Sequence, residues 1–221
     1  MQFLRRHWYD LGLAVGVAAI AWALLGTLKT VQVILLLNFA ALTLHQFEEY
    51  ACPGGLPWIL NEVVQPRGGP ADRFPLNQNN ALFINLLAYP FCLLPVFFPN
   101  AVWLGFAMVL FTLGQFIFHE VVINRKLKSL YNPGLVAVVF AHLPLSVWYL
   151  VEIYSKSTVP LWNWALAVVY LACFIGIVMR FIGYGFLAAR DSPYPFAPEE
   201  MERFDRGGHL ARLGMDGGLN K

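Results

Sequence analysis

Six long apolar stretches constrain the fold of this 221-residue chain more than any other feature. A helix needs about 20 predominantly apolar residues to cross the hydrocarbon core of a bilayer. The first stretch lacks a small-residue cleavage site and runs straight into the second, so we do not expect a removed signal peptide. The sequence predicts an all-α fold, a polytopic membrane bundle of about six transmembrane helices. The predicted spans, numbered first to sixth below, cover residues 9–27, 31–50, 80–98, 101–123, 134–154 and 160–187.

Composition supports a membrane class. Hydrophobic residues make up 58% of the chain and charged residues 13%, and the formal net charge is +2. A soluble domain carries roughly 25% charged residues, so this chain is too apolar for that class. The small net charge gives no reason to expect nucleic acid. We therefore expect the lipid bilayer as the main partner, and the sequence leaves a homo-oligomer open.

Basic residues orient the predicted bundle, because cytoplasmic loops carry an excess of lysine and arginine. The loops on one side hold only Lys29 and Lys156. This asymmetry predicts both termini in the cytoplasm and a multi-pass protein of the inner (cytoplasmic) membrane. Residues 1–190 would form the bundle, and residues 191–221 a polar cytoplasmic tail with one short helix after Pro198. The predicted cytoplasmic side holds Arg5, Arg6, Arg67, Arg73, Arg125, Lys126, Lys128, Arg180 and Arg190.

The connection between the second and third spans, residues 51–78, has two interpretations. Its apolar middle, around Trp58 to Val64, is flanked by glycines and prolines. Such a segment fits a short helix lying on the membrane surface, which the flanking hinges would make a lid. It also fits a plain surface loop.

Ionisable residues close the second span, which ends in "HQFEEY". Spacings of three and four residues place Glu48 and Glu49 on the same helix face as His45. Ionisable groups within a span usually face the bundle interior and mark a functional site. The second span therefore predicts such a site near its cytoplasmic end.

Other spans add polar residues at a similar depth. His119 lies in the last turns of the fourth span, with Gln115 one turn above it, and His142 lies about 12 Å into the fifth span. Asn85 of the third span is a candidate lining residue, as is Gln115. Tyr131 precedes the fifth span and would reach the cytoplasmic mouth. Each also has a structural alternative, as helix packing or interfacial anchoring.

Imidazole and carboxylate ligands together predict a divalent metal, with zinc favoured and iron second. The H-x-x-E spacing lets His45 and Glu48 present one nitrogen and one oxygen to one ion, and His119 would complete the ligand set. Glu49 would act as a base towards bound water or as a further, bridging ligand. His142 and Tyr131 are further candidates for a catalytic role.

The pattern resembles the HXXEE-motif family of bacterial membrane proteins. The motif itself is "HQFEE", residues 45–49, and a further family histidine followed by Y-x-P-G matches His119 and "YNPG", residues 131–134. The resemblance covers roughly residues 35–155. The family's function is unknown, so the resemblance implies only that His45, Glu48, Glu49 and His119 form one constellation.

Several functions fit these residues. The favoured hypothesis is a membrane-embedded metal-dependent hydrolase that acts on a lipid-like or apolar small molecule at the cytoplasmic leaflet. A di-iron oxygenase or oxidase is an alternative: three histidines within the spans are too few for a histidine-rich di-iron site, but a carboxylate-rich one needs fewer. A small ion or proton-coupled transporter is another, although polar groups are sparse in the outer half of the predicted bundle. A purely structural protein is the remaining class.

Overall fold

The six predicted spans are confirmed as helices in a computed structural model that describes residues 1–205. All six are long and apolar enough to cross a membrane, as in a multi-pass membrane protein. Residues 1–205 contain no β-strand. The first helix begins seven residues before its predicted start, at Gln2 rather than residue 9. The spans are Gln2–Leu25, Thr30–Tyr50, Gln78–Phe97, Val102–Leu127, Leu135–Tyr154 and Trp162–Phe186.

The second span lies at the centre of the bundle. It packs against the first, third and fifth spans. Over its most apolar window 61% of its residues are buried, against 11% for the sixth span. Its aliphatic and aromatic side chains form the middle of the main core, among them Ile34, Leu36, Phe39 and Leu42. Residues at the end of this span are therefore held among several other helices.

Small residues let the first span approach the second closely. A Cβ added to Gly16 would lie 2.0 Å from Oγ1 of Thr43, so only glycine fits at this crossing. Close backbone approach through small residues is a usual way for helices to pack in a bilayer. Nearer the start of the first span, Trp8 and Tyr9 pack against Tyr50. These contacts support the part of the first helix that lies before its predicted start.

The connection between the second and third spans forms a short helix, residues 56–64, whose second part, Ile59–Val64, is a π-helix. Trp58, Ile59 and Leu60 are buried rather than spread on a surface. Asn61 fixes the return of the chain, since its amide donates to the carbonyls of Ala71 and Leu76. The plain surface loop is therefore wrong, and we call residues 56–64 the covering helix.

The described part of the predicted tail packs onto the bundle. Phe196, Met201 and Phe204 are buried in one cluster with the covering helix and the start of the first span. A short helix, Pro198–Met201, forms where it was predicted. Residues 206–221, which include His209, lie outside the described residues.

Candidate metal centre

Two side chains of the second span, His45 and Glu49, meet a third from the fourth span, His119, at the end of the second span. Oε1 of Glu49 lies 3.2 Å from Nε2 of His45 and 3.3 Å from Nε2 of His119. One possible ligand atom from each residue lies within 4.8 Å of the other two. All three side chains are buried, His119 completely. The predicted meeting of His45 with His119 is thus found, with ring centroids 4.9 Å apart.

These separations suit a single metal ion. Nitrogen and oxygen ligands at about 2.0–2.1 Å from a tetrahedral zinc lie about 3.3–3.4 Å from each other. The two distances from the Glu49 carboxylate to the imidazole nitrogens are close to that value. The set could therefore hold one ion while both rings keep their positions.

Hydrogen bonds fix which nitrogen of each ring is free. The Nδ1–H of His45 donates to the carbonyl oxygen of Gly134 over 3.0 Å. The Nδ1–H of His119 donates over 2.6 Å to Oδ1 of Asn132, whose own amide donates to the His119 carbonyl and to Asn124. Because these oxygens act as acceptors, each ring carries its proton on Nδ1 and leaves Nε2 with a lone pair. Ligand histidines are usually held in this way.

The free nitrogens lack partners. Among residues 1–205, Nε2 of His45, His119 and His142 has no hydrogen-bond partner, although all three atoms are buried. Glu49 lies near two of them, but an ionised carboxylate and an unprotonated nitrogen are both acceptors and repel each other. An unsatisfied buried polar atom costs about 1–3 kcal/mol. A shared cation would remove this repulsion, and so would a proton.

The YNPG loop packs against the two histidine rings of the centre. Gly134 has φ +101°, and a Cβ there would lie 2.6 Å from Cε1 of His119 and 2.8 Å from Cε1 of His45. Glycine is required both by this backbone conformation and by the space that the two rings occupy. Gly134 and Asn132 thus each accept a hydrogen bond from one of the two histidines.

Glu48 faces away from the cluster. Its carboxylate accepts the backbone N–H groups of Val136 and Ala137 at 3.2 and 2.9 Å, at the start of the fifth span. Tyr131 donates its hydroxyl to the same carboxylate at 3.1 Å. Burial, followed by the nearby negative charge of Glu48, raises the pKa of Tyr131, so the hydroxyl stays protonated. Glu48 therefore caps a helix, where a negative charge is favourable.

This placement differs from the prediction made from spacing alone, in which Glu48 was the favoured ligand and Glu49 a base or bridging ligand. Glu49 lies with the histidines, whereas the oxygens of Glu48 are occupied by backbone and tyrosine donors. The H-x-x-E pair was favoured because residues three apart share a helix face. The i to i+4 pair of His45 and Glu49 shares that face equally well.

His142 stands beside the three-residue cluster. Its ring centroid is 6.0 Å from that of His45, and its Nδ1–H donates to Oδ1 of Asn38 over 2.8 Å. Asn38 in turn contacts the Ser146 hydroxyl, which donates to Thr112. Both His142 and His119 lie within π-helical turns, which are frequent at functional sites.

A cavity of about 280 Å³ adjoins the centre, and His45 and Glu49 form part of its wall. The predicted lining residues Asn85 and Gln115 both border it. Asn85 also accepts a hydrogen bond from Gln46, so it links the second and third spans. The rest of the wall is mostly aliphatic and aromatic, and a large part of it comes from Leu42, Leu56, Leu60, Leu76, Ile84, Ala88, Leu110, Phe111, Phe118, Phe174 and Met179.

Two residues of the site were missed by the sequence analysis. Asn132 and Gly134 were not predicted as site residues, although they orient His119 and His45. The signal was available in the family motif, since the matching Y-x-P-G pattern includes this glycine. Asn132 occupies the variable position of that pattern, so the motif gave no signal for it.

Comparison with known proteins identifies a family for this chain. No curated protein and no solved structure matches the chain. The sequence profile of a family described as "Protein of unknown function with HXXEE motif" matches residues 36–149, just over half of the chain. That segment contains the three converging residues, His142 and the whole YNPG loop. The chain therefore belongs to the HXXEE-motif family.

Proposed function

We propose that this protein is a membrane-embedded metalloenzyme that holds one divalent ion with His45, Glu49 and His119. The main observation in support is that the buried Nε2 atoms of His45 and His119 both lie next to one oxygen of Glu49. Zinc is the favoured ion because two imidazoles and one carboxylate form a common catalytic zinc set that leaves a position open. Iron is the second choice.

A single ion is favoured over a di-iron centre by the ligand supply. Glu49 is the one carboxylate among residues 1–205 that lies within the cluster. Glu48 would have to abandon three hydrogen bonds to become a second oxygen ligand. Di-iron sites in helical bundles use several carboxylates, so this site is short of ligands for two irons.

We propose hydrolysis as the reaction. A bound divalent ion lowers the pKa of a coordinated water, which supplies a hydroxide near neutral pH. Glu49 would serve as a ligand here rather than as a separate base. The apolar cavity would bind the greasy part of the substrate, and Asn85 and Gln115 would orient its polar part. Water would cleave an ester bond: its hydroxyl would join the acyl carbon to give an acid, and its proton would go to the leaving alkoxide oxygen to give an alcohol.

The metal claim is tested by elemental analysis of protein purified in detergent without chelator. The wild type should carry one zinc, iron or manganese ion per chain, and His45→Ala should carry none. His7→Ala is the matched control, because His7 is an exposed histidine that pairs with Asp10 away from the centre. The proposal fails if the folded wild type carries no stoichiometric metal and binds none when each is supplied.

The reaction is tested with nitrophenyl esters of graded chain length in mixed micelles. Metal-free protein resupplied with zinc should hydrolyse them, and Glu49→Gln protein treated identically should not. Oxygen consumption that depends on iron would instead support the oxygenase alternative. Metal flux into vesicles without ester hydrolysis would support a transporter.

We further propose that the centre faces the cytoplasm, from the asymmetry of basic residues. A cysteine replacing Lys128 should be shielded from a membrane-impermeant thiol reagent in intact cells, whereas one replacing Lys29 should react. The background must lack Cys52, Cys92 and Cys173, which are free thiols. The opposite labelling pattern would invert the orientation.

A further inference from the structure

The wall of the cavity is buried on one side and exposed on the other. Leu42, Leu60 and Leu76, on the second span, the covering helix and the segment after it, are at most 5% exposed. Gly114 on the fourth span and Ile175 on the sixth border the same cavity and are exposed, Ile175 by 40%. The cavity therefore opens between the fourth and sixth spans.

Helix packing explains this opening. The first part of the sixth span, Trp162–Cys173, packs against the fourth span, Val102–Phe116. Its second part, Phe174–Phe186, packs against the third span instead. The fourth and sixth spans thus diverge, and the divergence begins beside Gly114 and Ile175.

The opening lies at the depth of the bilayer interior. Gly114 is near the middle of the span Val102–Leu127, and Ile175 is near the middle of Trp162–Phe186. A span of about 20 residues crosses about 30 Å of hydrocarbon, so its middle is surrounded by acyl chains rather than water. A molecule that passes through this opening must be apolar.

The metal centre lies at a different depth. Glu49 is one residue from the end of Thr30–Tyr50, close to the membrane interface. The carbonyl-containing part of a membrane lipid occupies this interfacial zone, while its chains extend towards the bilayer centre. The cavity joins the two levels, because its wall includes both Glu49 and Gly114.

We infer that the substrate is a membrane lipid whose acyl chain enters the cavity from the side, between the fourth and sixth spans. The ester bond of this lipid then lies at His45 and Glu49. This inference rests on the proposed function for the reacting bond, but the binding of the chain does not depend on the metal. The apolar wall binds the chain, and the position of Glu49 selects a lipid whose polar end is at the interface.

The test uses phosphatidylcholine vesicles that contain a phospholipid with a photoreactive diazirine close to the carbonyl end of one acyl chain. After illumination, labelled peptides are mapped by mass spectrometry. Label is expected on buried cavity residues such as Leu60 and Leu76, in addition to the lipid-facing surface. Label confined to the outer surface of the spans would overturn the inference.

Two phenylalanine variants separate passage through the opening from general lipid contact. Gly114→Phe should narrow the opening and remove label from Leu60 and Leu76. Gly176→Phe is the matched control, since Gly176 neighbours Ile175 but does not border the cavity. Both should fold, because a Cβ added at either glycine has free space among residues 1–205 beyond its chain neighbours and the adjacent backbone of its own helix. Equal labelling of the buried leucines in Gly114→Phe and wild type would contradict the proposed route.

Metal content of the same preparations keeps this inference distinct from the proposed function. Labelling of the buried leucines in a protein that binds no metal would support the lipid site and reject the metalloenzyme. Stoichiometric metal without labelling of the buried leucines would support the metalloenzyme and reject the lipid site. Strong labelling by a water-soluble diazirine, but not by the lipid, would point to a soluble substrate and overturn the lipid assignment.

Discussion

The second and sixth spans show opposite relations between polarity and position. The sixth is the most apolar of the six spans, and only 11% of its most apolar window is buried. The second is the least apolar, yet 61% of its corresponding window is buried. In a soluble protein the more apolar helix would be at the centre. In a bilayer the most apolar helix can face lipid without loss, because lipid chains are as apolar as the core.

The difference indicates why the polar groups of the second span are at the centre. Asn38, His45 and Glu49 would be unsatisfied against lipid, where an unpaired polar group costs several kcal/mol. Inside the bundle each of them contacts a polar group on another span or loop. Substitutions on the second span and its contacts should therefore affect metal binding, and comparable ones on the sixth should not.

The largest effect is expected for Glu49→Gln on the second span. The amide removes the negative charge that balances the cation and leaves only a neutral carbonyl oxygen, which is a much weaker ligand, so stoichiometric metal should be lost. Cys173→Ser, a polar change at an exposed position of the sixth span, should leave metal content unchanged. Elemental analysis of both proteins checks the prediction, and equal metal content in the two would break the contrast.

Gly134→Ala comes next. The added methyl would lie less than 3 Å from carbons of both His45 and His119, at a backbone angle that alanine rarely adopts. Displacing two ligands in this way should weaken metal affinity by about 100-fold. Gly176→Ala on the sixth span should leave affinity unchanged, because its added methyl would have free space within the described residues. Competition with a fluorescent chelator measures both affinities.

Asn132→Ala removes the acceptor that holds His119, not a ligand. Loss of such an outer hydrogen bond usually lowers metal affinity by about 10–100-fold. Asn132→Asp keeps the acceptor oxygen and should restore most of the affinity, although its carboxylate cannot donate to the His119 carbonyl or to Asn124 as the Asn132 amide does. If alanine and aspartate variants bind metal equally well, Asn132 does not position the ring.

Glu48→Gln should have the smallest effect on the metal. Its carboxylate caps the fifth span through two backbone N–H groups, and hydrogen bonds to charged groups contribute about 1.5–3 kcal/mol each to stability. We expect a lower thermal midpoint in detergent with metal content unchanged. If Glu48→Gln protein is as stable as the wild type but contains no metal, the prediction is wrong and Glu48 is a metal ligand.

The sequence predicted the spans well because each depends on a local property. A run of about 20 apolar residues must be helical in a bilayer, whatever it packs against. The covering helix was harder to predict, since its burial depends on Phe196 and Phe204 from the distant C-terminal segment. Contacts of that kind leave no periodic signal near residues 56–64.

The site was predicted in composition but not in detail. His45, Glu49 and His119 were identified because ionisable residues are rare within spans. The choice between Glu48 and Glu49 could not be made, as both share a helix face with His45 and only the position of the fifth span separates them. The supporting role of Asn132 likewise depends on where the loop crosses the fourth span.

The central claim is that one ion is bound by imidazole and carboxylate inside the bundle. X-ray absorption at the metal edge of the purified protein tests it most directly. We predict a first shell of nitrogen and oxygen at about 2.0–2.1 Å, with the outer-shell scattering of at least two imidazoles. That imidazole signal should be absent from any residual metal in the His45→Ala and His119→Ala double variant. A wild-type spectrum of oxygen ligands alone, without imidazole scattering, would contradict the account.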